Sequence, residues 1–116
     1  MSYEDREGLT ETENDRFEQA FLEAVDDGLL TLGESGRKAI YSHLQSMCSL
    51  RREDIPNKPK EFMEGLRKIF GVGVQVLEKA IGKNLYAKLG LQYAEKKDHD
   101  FLACIDDARR MLEQKE

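Results

Sequence analysis

The chain has 116 residues, the length of one domain, because single hydrophobic cores usually span about one to two hundred residues. Its 18 Lys and Arg against 23 Asp and Glu give a net charge of −5, which disfavours general nucleic-acid binding. With 35 % charged residues and no apolar run approaching a membrane span, the sequence predicts neither a transmembrane nor a secreted protein. Cys48 and Cys104 are too few for a disulfide scaffold, so we expect a cytoplasmic protein with free thiols.

Apolar residues recur every three or four positions along most of the chain, which is the spacing of amphipathic helices. This pattern predicts an all-α fold, a single compact bundle of about five helices. We expect the helical domain to cover residues 13–116. Residues 1–12 carry many charges and only scattered apolar groups, so the sequence predicts a flexible N-terminal tail there.

The first two predicted helices flank a glycine. The first helix runs from about 13 to 32, and Gly33 is expected to take a left-handed conformation at its end. Ser35 is expected to cap the N-terminus of the second helix, which ends near Ser49. The apolar stripe of this second helix includes Met47, which we therefore expect in the core.

The segment 50–59 is predicted to be irregular, because its prolines cannot continue a helix. Pro59 suits the first turn of a third helix that ends at Phe70. A glycine-rich turn at 71–73 then leads into a fourth helix at 74–89.

The fourth helix is the most apolar, and we place it at the centre of the bundle. Val76 is expected to widen its buried face. Gly90 is expected to end it in the left-handed conformation, with Leu91 packing back against the last turn. Asp98 is expected to cap a last helix that begins before Phe101.

The histidines and cysteines form no recognisable metal or catalytic motif. His43 precedes Cys48 by five residues, and His99 precedes Cys104 by the same distance. Metal ligands on one helix are three or four residues apart, so neither pair is spaced to hold an ion. The sequence also offers no third group to orient a Cys-His nucleophile. We therefore expect no metal, no cofactor and no enzymatic activity.

Basic residues cluster around the central loop at 51–68, and two interpretations stay open. They could contact the phosphates of a nucleic acid, or they could form a charged rim for an acidic protein partner. A helix-turn-helix joins its helices with three or four residues, whereas this loop has about ten, which disfavours DNA binding. The cluster consists of Arg51, Arg52, Lys58, Lys60, Arg67 and Lys68.

A possible interaction surface combines some of these charges with nearby hydrophobic side chains. Met63 and Val72 lie beside the main apolar stripes, and an exposed apolar strip on a helical domain commonly marks a partner surface. The predicted surface has as its members Arg51, Arg52, Ile55, Lys60, Phe62, Met63, Phe70 and Val72.

The middle of the chain has a run of positions that matches a known family. These positions are Ile40-Tyr41-Ser42-His43-Leu44, Leu50, Glu53-Asp54-Ile55-Pro56, Phe62, Leu66, Ile69-Phe70-Gly71, Gly73, Leu77-Glu78, Ile81 and Leu85-Tyr86-Ala87-Lys88-Leu89-Gly90-Leu91. With them the chain resembles a small all-helical archaeal domain family of unknown function. That family is similar to the Nitrosopumilus-type output domain, which follows receiver domains in archaeal response regulators. The resemblance covers about residues 17–112 and implies a signalling or interaction module of archaeal origin, without catalytic residues.

Three functions follow as hypotheses. The leading one is a cytoplasmic all-α domain that binds another protein or a second copy of itself, with no membrane contact. The second is a regulatory domain that binds nucleic acid through the basic cluster at 51–68, which is the less favoured interpretation. The third, an enzyme or ligand-binding protein, would require a pocket around His43, Tyr41 or Tyr86, and the sequence shows no matching acid for it.

Overall fold

The computed structural model describes residues 11–93 and 100–115 of the chain. Within these residues the protein is all-α, as the apolar spacing predicted, and contains no strand. Short 3-10 turns at Leu30–Leu32, Arg52–Asn57 and Gly71–Gly73 connect the helices. The five α-helices are α1 (Glu11–Leu29), α2 (Gly33–Cys48), α3 (Pro59–Phe70), α4 (Val74–Leu89) and α5 (Phe101–Lys115).

Helices α1 and α4 form the closest helix pair, and they run antiparallel. Gly28 lies against Ile81, where an added Cβ would come within 2.6 Å of the isoleucine Cγ1. The glycine therefore allows the two backbones to approach more closely than a larger residue would. Further along the pair, Lys88 Nζ lies 3.0 Å from Asp27 Oδ2, and Arg16 donates a hydrogen bond to the carbonyl of Leu89 at 3.2 Å.

A chain of aromatic rings connects three helices in the core. Phe17 and Phe21 on α1 are packed edge to face with their ring centroids 6.0 Å apart. Phe101 at the start of α5 lies 6.4 Å from Phe21 and 6.2 Å from Phe62 on α3. Aromatic pairs at these separations add to the stabilisation from burial alone. The rings thus hold α1, α3 and α5 together.

Several predicted helix ends are correct, and others are shifted. Gly90 ends α4 in the left-handed conformation, and the Leu91 amide donates to the Tyr86 carbonyl at 2.8 Å, as expected for this type of cap. Pro59 begins α3. Ser35, however, lies inside α2 rather than capping it, because the turn Leu30–Leu32 leads directly into a helix that begins at Gly33.

The predicted starts of the first and last helices fall near or beyond the edges of the described residues. Helix α1 begins at Glu11, so the last two positions of the predicted tail are helical, and residues 1–10 lie outside the described residues. The predicted cap Asp98 also lies outside them. Asp100, directly before α5, acts as a cap: its Oδ1 accepts a hydrogen bond from the Ala103 amide at 2.8 Å.

Candidate interaction surface

Three members of the predicted interaction surface are buried. Ile55 and Phe62 are fully inaccessible to solvent, and Met63 is 8 % exposed. Ile55 belongs to the 3-10 turn that packs against α1, and Phe62 and Met63 point from α3 into the core with Leu66. The prediction that they lie at the surface is wrong, because the turn and α3 are pressed against the rest of the bundle.

The remaining apolar members differ from one another. Phe70 is half-buried at the end of α3 and packs against the core. Val72, in the turn between α3 and α4, is 93 % exposed and is the most exposed large hydrophobic residue of the described chain. Of the five predicted hydrophobic residues, only Val72 is therefore freely available to a partner.

Arg52, predicted as a rim charge, instead joins three elements. Its guanidinium donates to both oxygens of Asp26 on α1, at 3.0 and 2.6 Å. The Tyr41 hydroxyl on α2 donates to Asp26 Oδ1 at 2.5 Å. Two-pronged Arg-carboxylate pairs are among the stronger polar contacts in proteins. The Asp26 carboxylate thus attaches both α2 and the central loop to α1.

Asp26, Arg52 and Tyr41 form a polar cluster whose members stabilise one another. Burial would raise the pKa of Asp26, but hydrogen bonds from Arg52 and Tyr41 outweigh burial and lower that pKa below its ordinary value of 3.8. Burial and the hydrogen bond to Asp26 raise the pKa of the Tyr41 hydroxyl, which stays a proton donor. All three groups are occupied by contacts within the chain.

The other charges of the basic cluster are interspersed with acids. Arg51 lies within 4 Å of both Glu53 and Asp54, and its amide donates to Asp54 Oδ2. Arg67 pairs with Glu78. Lys60 is exposed at the start of α3. The residues at 51–68 therefore do not form an unbroken positive patch.

Glu78 is the one buried charged residue of the described chain. Its Oε2 atom lies 3.4 Å from Arg67 Nε, an ion-pair contact that lacks the geometry of a hydrogen bond, so this oxygen has no hydrogen-bond partner. Burial raises the pKa of Glu78, the nearby Asp100 adds to the effect, and Arg67 opposes it. The folded protein thus binds a proton at Glu78 more readily than the unfolded chain does.

This raised pKa sets the direction of a pH effect. Below pH 4.5, the ordinary pKa of the group, its contribution to stability is fully present, and it is lost as the pH rises through the higher folded-state value. Glu78→Gln imitates the protonated form. We expect the stability of the wild type relative to E78Q to increase as the pH falls from neutral to 4.5, measured by urea unfolding. Glu64→Gln, at an exposed position, controls for the loss of one surface charge. If the stability of the wild type relative to E78Q stays constant or decreases as the pH falls, the assignment is contradicted.

Four exposed hydrophobic side chains lie at one end of the α1–α4 pair. Because the two helices are antiparallel, the turn that follows α1 lies at the same end as the turn that precedes α4. Val76 is 79 % exposed on α4, while Leu30 and Leu32 after α1 are 41 % and 44 % exposed. We call Leu30, Leu32, Val72 and Val76 the end patch. Exposed apolar groups at one end of a helical domain are typical of protein-binding surfaces.

Sequence reasoning missed most of the end patch. Val76 was expected on the buried face of α4, but that face is formed by Val74, Leu77 and Ile81, from which Val76 is rotated away. Met47 was likewise expected in the core, and it is half-exposed on α2. On a helical wheel Val76 lies on the side away from Ile81, and this position could have indicated that Val76 is exposed.

The described residues contain no group of three His, Cys, Asp or Glu side chains that could hold a metal ion. His43 is exposed, Cys48 is half-buried and Cys104 is buried, and His99 lies outside the described residues. Tyr86 donates from its hydroxyl to the backbone carbonyl of Cys104, which joins α4 to α5. In the part of the chain that the structure covers, no helix is both long enough and apolar enough to cross a bilayer.

Comparisons with known proteins return no relative: no family model, no curated protein and no solved structure matches the chain.

Proposed function

We propose that this chain is a protein-interaction or signalling output domain without catalytic activity, and that it acts in the cytoplasm. The end patch carries the proposal. Its valines and leucines are exposed at one end of a closely packed helix pair, where a partner can cover them together. The polar cluster of Asp26, Arg52 and Tyr41, by contrast, is used to connect elements of the fold.

The sequence resemblance supports the same class of function. The archaeal output domains that the chain resembles are signalling modules, and the matched positions are mostly core and turn residues. Gly71 and Gly73, two of those positions, flank Val72 in the turn that presents it to solvent. We propose an archaeal origin and a signalling role on this basis.

Nucleic-acid binding is the second candidate. It is favoured by Lys58, Lys60 and Lys68, which are exposed and form no ion pair within the described residues. Arg51 and Arg52, which would have strengthened such a surface, are paired with acids. If this function is correct, Lys60→Glu should weaken binding to duplex DNA or RNA, and binding should fall steeply with added salt.

The leading proposal is tested by partner capture with a variant of the end patch. We expect the wild-type chain to retain a reproducible set of proteins from its host, and Val72→Ser/Val76→Ser to lose that set. Met47→Ser is the matched control, because it changes an exposed hydrophobic residue outside the patch and should retain the same proteins. Equal capture by all three chains, quantified by mass spectrometry, would contradict a role for the end patch.

A further inference from the structure

The solvent-facing sides of α1 and α4 carry opposite charges. Helix α4 exposes lysines and no carboxylate, because its one acidic residue, Glu78, is buried. Helix α1 exposes Asp15, Glu23 and Asp27 and, as its only exposed basic residue, Arg16. A chain of net charge −5 therefore has one positive helix beside a negative one. The pair can be complementary to a second copy of itself.

The spacing of the side chains matches this complementarity. On α4, Val76 and Lys83 are seven residues apart, which is two helical turns, so both point the same way. On the α1 side, Glu23 and Leu30 are also seven residues apart and exposed. If α4 of one copy lies antiparallel on α1 of another, the register that sets Val76 against Leu30 also sets Lys83 against Glu23.

The stripe on α4 between these two contacts can accept a second helix. Lys79 and Ala80 both lie between Val76 and Lys83, and the small Ala80 side chain leaves room for close approach on its side of the stripe. A shallow depression of about 370 Å³ follows this stripe, lined by Gln75, Val76, Lys79, Ala80 and Lys83. Lys83 forms no ion pair within the described part of the chain, and Glu23 is half-exposed although it also contacts Lys88.

We propose that a second copy of this chain covers the outer side of the α1–α4 pair. This inference rests on the proposed function, since it names the partner of the end patch. A two-fold axis parallel to the two helices places α4 on α1 of the other copy in the antiparallel sense, and each contact then occurs twice. The interface combines Val76 with Leu30 and Lys83 with Glu23, in a bundle in which the two helix pairs form two layers.

The size of this surface indicates a weak dimer. Helix α4 has 16 residues and is therefore about 24 Å long, and the second helix widens the face to roughly 20 Å. Such a face is at the lower end of stable protein interfaces. We expect a micromolar dissociation constant that rises with salt, because one of the two contacts is ionic.

Sedimentation equilibrium over a micromolar to near-millimolar range tests the proposal by charge exchange. Lys83→Glu and Glu23→Lys should each raise the dimer dissociation constant roughly tenfold or more, because each substitution replaces two attractive contacts with repulsive ones. The combined variant Lys83→Glu/Glu23→Lys restores opposite charges and should dimerise nearly as well as the wild type. Lys60→Glu, which makes the same charge change on α3, should leave the constant unaltered. Circular dichroism verifies that every variant is folded.

The outcomes separate this inference from the proposed function. A wild-type chain that stays monomeric throughout the range, or a combined variant that is not rescued, overturns the second copy as partner. If Val72→Ser/Val76→Ser still loses captured proteins in that case, the end patch binds a different protein and the proposed function stands. If the capture is also unchanged, both proposals fail.

Discussion

Replacing Phe62 with alanine is expected to lower the free energy of unfolding by about 3–5 kcal/mol. The Phe62 ring is fully buried, and it contacts Phe101 with ring centroids 6.2 Å apart. Its removal leaves a cavity between α3 and α5 and ends the chain of rings that continues to Phe21. Because small domains are stable by only about 5–15 kcal/mol, this loss is a large part of the total. Denaturant unfolding followed by circular dichroism measures it.

Val72→Ala is the matched control for this experiment. Val72 was predicted to share a surface with Phe62, but it is 93 % exposed, so its truncation should change the free energy of unfolding by less than about 0.5 kcal/mol. Similar effects for the two substitutions would mean that α3 does not face the core as described. A large difference supports the division of the predicted surface into core and exposed residues.

Asp26→Ala is expected to lower the free energy of unfolding by about 1–2 kcal/mol near neutral pH. The substitution removes the partner of both Arg52 and Tyr41 and so releases two attachments to α1. The expected loss is kept to this range because the Arg52 side chain is 40 % exposed and water can replace part of the contact. Asp27→Ala is the control: it removes a half-exposed surface pair with Lys88 and should cost about 0.5 kcal/mol or less.

The effect of Asp26→Ala should depend on pH in a defined direction. The folded-state pKa of Asp26 is lowered, so its contribution to stability is present above pH 3.8 and is lost as the pH falls through the folded-state pKa. The difference between wild type and variant should therefore shrink in strong acid. A difference that stays constant down to the lowest pH at which the protein is folded would show that the Asp26 charge does not stabilise the cluster.

The helices were predictable because their apolar spacing is local information. Pro59, Gly71 and Gly90 mark ends that depend only on nearby residues, and each lies where the sequence indicated. Ser35 was misassigned because a serine favours capping only where the helix has not already begun. The 3-10 turn Leu30–Leu32 leads directly into α2, so the helix has already begun before Ser35. No local sequence pattern indicated this turn.

The interaction surface was less predictable because exposure depends on which elements pack together. Ile55 lies in a short 3-10 turn that packs against α1, and Met63 lies on α3, which packs against α2. Their burial follows from these contacts rather than from their own spacing. Arg52 has the sequence context of a solvated charge, and its role follows from the position of Asp26, which is 26 residues away. The opposite charges of α1 and α4 indicate a self-complementary surface only because the two helices are neighbours, and the sequence does not show which helices are neighbours.

Amide chemical shifts recorded as a function of protein concentration test the central claim most directly. We expect concentration-dependent shifts at Leu30, Val76, Ala80 and Lys83 and around Glu23, with little change on the exposed side of α2. Lys83→Glu should suppress these shifts, and Lys83→Glu/Glu23→Lys should restore them. Spectra that do not change with concentration, or changes confined to residues 51–68, would contradict the assignment of the outer α1–α4 surface as the site of self-association.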